Sequence, residues 1–83
     1  MPEYRAELRV HLRTGVLDPA GEAVQASLRH LGFAAARVEV GKLLTVDLTA
    51  GSPEEAEAAV HRMAKELLVN PVLEDYVLEV HAR

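Results

Sequence analysis

Tyr4-Arg5-Ala6-Glu7-Leu8-Arg9-Val10-His11-Leu12-Arg13 is the stretch on which the fold turns. Tyr4, Ala6, Leu8, Val10 and Leu12 lie on one side of a period-two repeat, and Arg5, Glu7, Arg9, His11 and Arg13 on the other. Successive side chains of a strand point to opposite faces, so the run predicts a half-buried strand with its apolar side towards a core. Thr14-Gly15 breaks the alternation. Asp18 then offers a helix cap and Pro19 the first helical position, where a missing N–H costs nothing. The expected helix runs from Pro19 to about Leu31, with Ala20, Val24, Ser27, Leu28 and Leu31 on its core side and Glu22, Gln25 and Arg29 in water. Gly32 is placed to end it with φ > 0, and Phe33 to pack back on the last turn.

Two more alternating segments, Arg37 to Val40 and Leu44 to Leu48, flank Gly41-Lys42 and predict a β-hairpin. Ser52-Pro53-Glu54-Glu55 reads as a capping box with proline at the first helical position. The second helix should extend from Pro53 to about Val69 with Ala56, Val60, Met63 and Leu67 on one stripe, until Asn70-Pro71 stops it. Tyr76 to His81 alternates again as a last strand. The order β-α-β-β-α-β places the chain in the α+β class, with two helices on one face of an antiparallel sheet in a ferredoxin-like arrangement. Exposed edges on so small a sheet leave open the pairing of the last strand with a second subunit.

The chain has 83 residues, 27% of them charged, and no cysteine. That length does not divide into two packed cores, and without cysteine there is no disulfide framework and no thiolate metal or redox site. A domain of this size buries only about 60 to 65% of its unfolded surface, so association with neighbours is an expected supplement. A formal charge of −4 argues against a phosphate-backbone binder, and one Phe, two Tyr and no Trp supply no stacking platform for bases. No apolar run approaches a membrane span, and Met1-Pro2-Glu3-Tyr4 lacks the basic start of a signal peptide, so the expected location is cytoplasmic.

Reactive side chains do not converge in the sequence. The four histidines show no three-to-five spacing: His11 and His81 fall on outward strand positions, His30 flanks the first helix's stripe, and His61 has Glu57 four residues earlier. All four read as surface histidines. Glu74-Asp75 reads as an acidic turn, Ser27 as a core-side helix residue and Ser52 as a consumed cap, which leaves no serine nucleophile. Gly15 to Gly21 joins strand to helix but lacks the Lys-Ser/Thr of a phosphate loop. Arg5, Arg9 and Arg13 should face Glu39, Asp47 and Glu79 across the outer sheet face as solvated ion pairs.

Apolar residues in the connections stand outside any stripe: Val16 and Leu17 before the first helix, Val72 and Leu73 after the second. Either they fold under the edge of the domain or they form a patch for another chain. The second alternative suits a chain of this size and leans towards an assembly module.

Four stretches together resemble the PurS family. They are Thr14 to Val24 (Thr-Gly-Val-Leu-Asp-Pro-Ala-Gly-Glu-Ala-Val), Leu28 to Phe33 (Leu-Arg-His-Leu-Gly-Phe), Val40-Gly41-Lys42, and Leu67 to Tyr76 (Leu-Leu-Val-Asn-Pro-Val-Leu-Glu-Asp-Tyr). They cover nearly the whole chain in the family's order, with Val69 where a small residue is common. The resemblance implies one PurS-like domain over residues 1–83, which acts as a non-catalytic assembly subunit of phosphoribosylformylglycinamidine (FGAM) synthase in purine biosynthesis. It implies two partners, the synthase subunit PurL and the glutaminase subunit PurQ, bridged so that ammonia passes between them. ATP, Mg and glutamine would be used by those partners, with no catalytic, cofactor or metal residue on this chain. It also implies self-association as a dimer or tetramer, with strands contributed between subunits. By position, Val16, Leu17, Asp18, Asn70, Pro71, Val72, Leu73, Glu74, Asp75 and Tyr76 become interface candidates, while Gly15, Pro19, Gly32, Gly41, Ser52 and Pro53 serve turns and caps. Two other classes share the element order. An ACT-like small-molecule-binding regulatory module is faintly echoed by Gly15 to Gly21, and an acylphosphatase-like enzyme is disfavoured because the only asparagine is Asn70.

Overall fold

The computed structural model describes residues 1–83. Strand β1, Glu3–Leu12, carries the alternation read above, and it is the centre of a three-stranded antiparallel sheet of order β2-β1-β3. Strand β2 is Lys42–Thr49 and strand β3 is Glu74–Ala82. Leu8 faces Leu44 on one side and Leu78 on the other, which aligns all three apolar rows on one face. Tyr4, Ala6, Leu8 and Val10 are buried, whereas Leu44, Val46 and Leu48 of β2 and Tyr76, Leu78 and Val80 of β3 are half-buried.

Helix α1 spans Pro19–His30 and helix α2 spans Pro53–Met63, continuing as a π-helical turn over Ala64–Leu68. Both caps form as the sequence predicts. Asp18 accepts a hydrogen bond from the Gly21 N–H at 2.9 Å, and the Ser52 hydroxyl accepts from the Glu55 N–H at 3.1 Å. The return bond of the capping box goes one residue further out, from the Gly51 N–H to Glu55 Oε2 at 2.9 Å. Helix α1 closes through two bonds, Phe33 N–H to Leu28 O and Gly32 N–H to Arg29 O, each 3.0 Å. Gly32 takes φ +97°, the left-handed conformation this closure needs.

Helix α2 supplies the core. Ala56, Val60 and Ala64 are fully buried against β1, and Val69 seals the end of the layer. Leu67, expected on that stripe, is 83% exposed, because the π-helical turn rotates the last residues by widening the helical repeat.

Two expectations need correction. The first arm of the hairpin does not pair: residues 34–40 carry no regular secondary structure and bond to no strand, so one chain contributes three strands. Their amides and carbonyls bond to α1 instead. Gln25 Nε2 donates to Ala36 O at 2.8 Å, Arg29 Nε donates to Ala35 O at 2.8 Å, and Gly21 lies against the Val38 carbonyl, where no side chain would fit. The side chains of Gln25 and Arg29 therefore hold the 34–40 segment rather than facing water alone. The second correction concerns α1, which contacts no strand and not α2, so α2 alone covers the inner sheet face. Val24 and Ser27 of the predicted core stripe are exposed. The antiparallel sheet, the two helices and the α+β class stand as expected.

On the outer face Arg5 forms a two-point ion pair with Asp47, 2.9 and 3.2 Å, as its register opposite Asp47 dictates. The Arg5 guanidinium holds the Asp47 carboxyl below the ordinary carboxylate range. Glu79, expected to pair with an arginine, stands directly opposite Glu7 and near His81. Glu39 pairs with Arg37 on its own segment rather than across the sheet.

Candidate functional site

The candidate interface residues fall at one end of the molecule, where β1 ends and β3 begins. Antiparallel pairing brings Leu12 opposite Glu74, so the chain leaving β1 and the chain entering β3 emerge side by side. Arg13 fastens them. Its N–H donates to Leu73 O at 2.8 Å, its Nη2 donates to Pro71 O at 2.9 Å, and Nη2 lies 3.4 Å from Asp75 Oδ1.

The 70–76 segment is organised by its own polar groups. Asn70 Oδ1 accepts from the Val72 and Leu73 N–H groups at 2.9 and 3.3 Å, an Asx turn of the kind asparagine favours. Asn70 N–H donates to Glu74 Oε1 and Glu74 N–H to Asn70 O, both at 2.8 Å. Glu74 and Asp75 are strand residues rather than an acidic turn, because β3 starts two residues earlier than its alternation suggests. With the backbone polar groups satisfied locally, Val72 is left 75% exposed at the tip and Leu73 partly exposed beside it.

The 15–18 segment makes the other half. Gly15 turns the chain with φ +86°, Val16 is half-buried and Leu17 is 67% exposed. Asp18 is committed on both oxygens, to the Gly21 N–H through Oδ1 and to the Val40 N–H through Oδ2 at 3.0 Å. These two donors, Val40 first and Gly21 second, hold its carboxyl below the ordinary aspartate value. Asp18 is thus a cap and a tether between the two legs of the α1 excursion, and the loop's echo of a ligand site has no free carboxylate behind it. Pro19 stands at the first helical turn as expected. Gly41, expected at a hairpin tip, instead runs beside β1, where a Cβ would come within 2.5 Å of the Val10 carbonyl oxygen.

Two hollows meet at Arg13. One, of about 220 Å³, lies between residues 11–18 and the 37–40 segment, lined among others by His11, Leu17, Asp18, Arg37 and Glu39. The other, of about 310 Å³, lies between the π-helical turn and the 70–76 segment. Its wall includes His61, whose Nδ1 is 2.6 Å from the Tyr76 hydroxyl and whose Nε2 is 3.5 Å from Glu57. Sequence spacing finds the Glu57–His61 pair but not Tyr76, which reaches His61 only because β3 runs beneath α2. Arg13 reads in the sequence as the last outward position of the alternation and an ion-pair partner on the outer sheet face, but its bonds to the Leu73 and Pro71 carbonyls depend on the pairing of β1 with β3 and have no local signal. The assembled surface is apolar at Leu17, Val72 and Leu73 with a hydrogen-bonded frame around it, which suits burial against another chain. Its titratable groups, Arg13, Asp18, Glu74, His61 and Tyr76, are engaged with one another or with the backbone.

No helix is long and apolar enough to cross a membrane. Comparison with known proteins gives one consistent result. The family profile described as PurS, phosphoribosylformylglycinamidine (FGAM) synthase, matches residues 5–82. A curated relative from Synechocystis, phosphoribosylformylglycinamidine synthase subunit PurS, is 42% identical over 95% of this chain and 80% of its own. The subunit of the same name from Archaeoglobus fulgidus is 42% identical over 86% of this chain and 90% of its own. Among solved structures, Methanocaldococcus jannaschii PurS superposes with a TM-score of 0.85 at 34% identity, covering 94% of this chain and 95% of that one. A chain of the structure of PurLQS from Thermotoga maritima superposes with a TM-score of 0.87 at 34% identity over the whole of both chains. The chain belongs to the PurS family of phosphoribosylformylglycinamidine synthase.

Proposed function

We propose that this chain is a non-catalytic assembly subunit of FGAM synthase in the cytoplasm, bridging a synthase subunit, PurL, and a glutaminase subunit, PurQ. The complex converts formylglycinamide ribonucleotide to formylglycinamidine ribonucleotide with ATP and glutamine. The chain holds the two larger subunits in the register that lets ammonia pass from one to the other, and it self-associates within the assembly. ATP, Mg and glutamine are handled by the partners. The observation that carries this reading is the likeness to a chain of the PurLQS structure over the whole of both chains. The geometry supports it. The apolar tips Leu17, Val72 and Leu73 sit on a frame fastened by Arg13, so partner binding requires little further ordering.

The test is reconstitution from the separate synthase subunit, glutaminase subunit and this chain. Glutamine-dependent amidine formation should need all three, whereas amidine formation from added ammonia should need the synthase subunit alone. Glutamine-dependent activity that is unchanged when this chain is omitted refutes the bridge. Replacing Leu17 and Leu73 with aspartate should weaken co-purification and glutamine-dependent activity together and leave ammonia-dependent activity intact. Loss of both activities, or of neither, counts against the assignment.

A further inference from the structure

The outer face of the sheet gives its acids arginine partners, with one exception. Asp47 is held by Arg5 and Arg83, Asp75 by Arg13 and Glu3 by Arg83. Glu7 of the central strand and Glu79 of β3 stand directly opposite each other with no arginine or lysine in ion-pair contact with either. Arg5 is turned away from them, to Asp47 on the β2 side of β1. Two carboxylates in direct cross-strand register oppose folding unless a cation lies between them. The group that faces them is His81.

Glu79 and His81 are two residues apart on β3, the spacing that sends both side chains to one face of a strand. The pairing of Glu7 with Glu79 adds the third side chain from β1. His81 Nε2 is 3.5 Å from Glu79 Oε2, and one ligand atom from each of the three residues lies within 4.8 Å of the other two. Around a tetrahedral zinc with bonds of about 2.0 to 2.1 Å, neighbouring ligand atoms are about 3.4 Å apart. The His81–Glu79 edge therefore already has the required length, and the full set needs to close by about 1.4 Å or less. Rotamer changes at exposed or half-exposed side chains cover that distance, while the paired strands hold the three Cα positions.

We propose that Glu7, Glu79 and His81 form a binding site for a divalent transition-metal cation, zinc foremost, with water in the fourth position. An imidazole beside two carboxylates suits zinc, nickel or copper, whereas magnesium and calcium take all-oxygen sets. The cation supplies the positive charge that the Glu7–Glu79 pair lacks, and it ties β3 to β1 in the middle of the sheet. Glu7 is half-buried and the other two ligands are exposed, so the fourth position faces solvent. Histidine spacing alone predicts no metal residue on this chain. The pair that matters is a carboxylate and a histidine two apart on a strand, completed from the neighbouring strand.

The probe is ZnCl2 added to the metal-free full chain and followed by calorimetry, with Co2+ as a spectroscopic substitute. The expected result is one Zn2+ per chain, a raised thermal midpoint, and a tetrahedral Co2+ absorption in the visible that Zn2+ abolishes. Loss of a group that merely orients a ligand costs about 10- to 100-fold in metal affinity, so His81→Ala and Glu7→Gln should each weaken Zn2+ binding at least about 10-fold. Both positions lie on the outer face, and the far-ultraviolet spectrum should be unchanged. Glu57 and His61 are the other carboxylate–histidine pair, on α2. Binding that is lost in His61→Ala and kept in His81→Ala overturns the proposal. Glu7→Gln adds a readout besides affinity. In metal-free buffer it should be more stable than the unmodified chain, and excess Zn2+ should reverse that order, because only the unmodified chain gains stability by binding. Absence of the reversal, or no saturable binding at millimolar Zn2+, overturns the site. Equal binding of Mg2+ also overturns it, since that marks an unselective acidic patch.

Discussion

Arg13 Nη2 lies 2.9 Å from the carbonyl oxygen of Pro71, a bond between residues 58 positions apart that joins the exit of β1 to the entrance of β3. It fixes the relative position of the two apolar tips, Leu17 and Val72, and it is reinforced by Asp75 at 3.4 Å. Arg13→Met keeps the apolar stem and removes the donor. Unfolding in urea should show a loss of about 0.5 to 1.5 kcal/mol, the worth of one partly exposed hydrogen bond. Binding to the synthase and glutaminase subunits, followed by co-sedimentation, should fall by more than that stability loss explains. Undiminished binding would show that the frame does not matter to docking.

Asp18 is held below the ordinary aspartate pKa by the Val40 and Gly21 N–H groups. A carboxylate with a depressed folded-state pKa contributes stability that is complete above its unfolded value, near 3.8, and is lost as pH falls through the lower folded value. Asp18→Asn should therefore lower the thermal midpoint at pH 7. The difference from the unmodified chain should shrink as pH falls below about 4, where the unfolded-state carboxyl takes up a proton, and level off once the folded-state carboxyl protonates at its lower value. Thermal scans from pH 7 to pH 3 read this directly, and a gap that widened on acidification would contradict it.

Leu8 and Val60 are the largest fully buried side chains, packed where α2 crosses β1. Leu8→Ala should cost about 2 to 5 kcal/mol, the range for truncating buried leucine, and so take most of the stability of so small a core. A guanidinium titration measures it. Val77→Ala, on the outer face at 52% exposure, should cost less than about 1 kcal/mol by the same measurement.

Glu7 and Glu79 stand directly opposite across β1 and β3, and the oxygens of both lie within 4.8 Å of a nitrogen of His81. Like charges in this register oppose folding. Glu7→Gln should raise stability by about 0.2 to 1 kcal/mol at pH 7 and low salt, with the gain reduced at 0.5 M salt by screening. Urea unfolding at the two salt concentrations checks both parts.

Gly32 closes α1 with φ +97° and has nothing near the position of a Cβ. Gly32→Ala is therefore a test of backbone conformation alone. It should cost about 1 kcal/mol through the left-handed geometry and weaken the α1 terminus without any clash. Amide exchange should accelerate at Gly32 and Phe33, whose N–H groups form the closing bonds.

The sequence determined the local parts of this protein. The period of two in β1, the caps at Asp18 and Ser52, the stop at Asn70-Pro71 and the turn at Gly32 all act within a few residues, so their physics is visible in the chain itself. The apolar tips at Leu17, Val72 and Leu73 were visible too, as residues no stripe absorbed. Tertiary structure decided what depends on distance. Arg37 to Val40 alternates like a strand, yet it pairs with none, because Gln25 and Arg29 hold the Ala35 and Ala36 carbonyls just before it against α1 and Asp18 takes the Val40 amide at its end. The stripe of α1 was legible as a surface to be buried, but not that α1 would stand clear of every strand and of α2. An apolar pattern specifies that a face must leave water, and only the path of the whole chain decides which surface receives it.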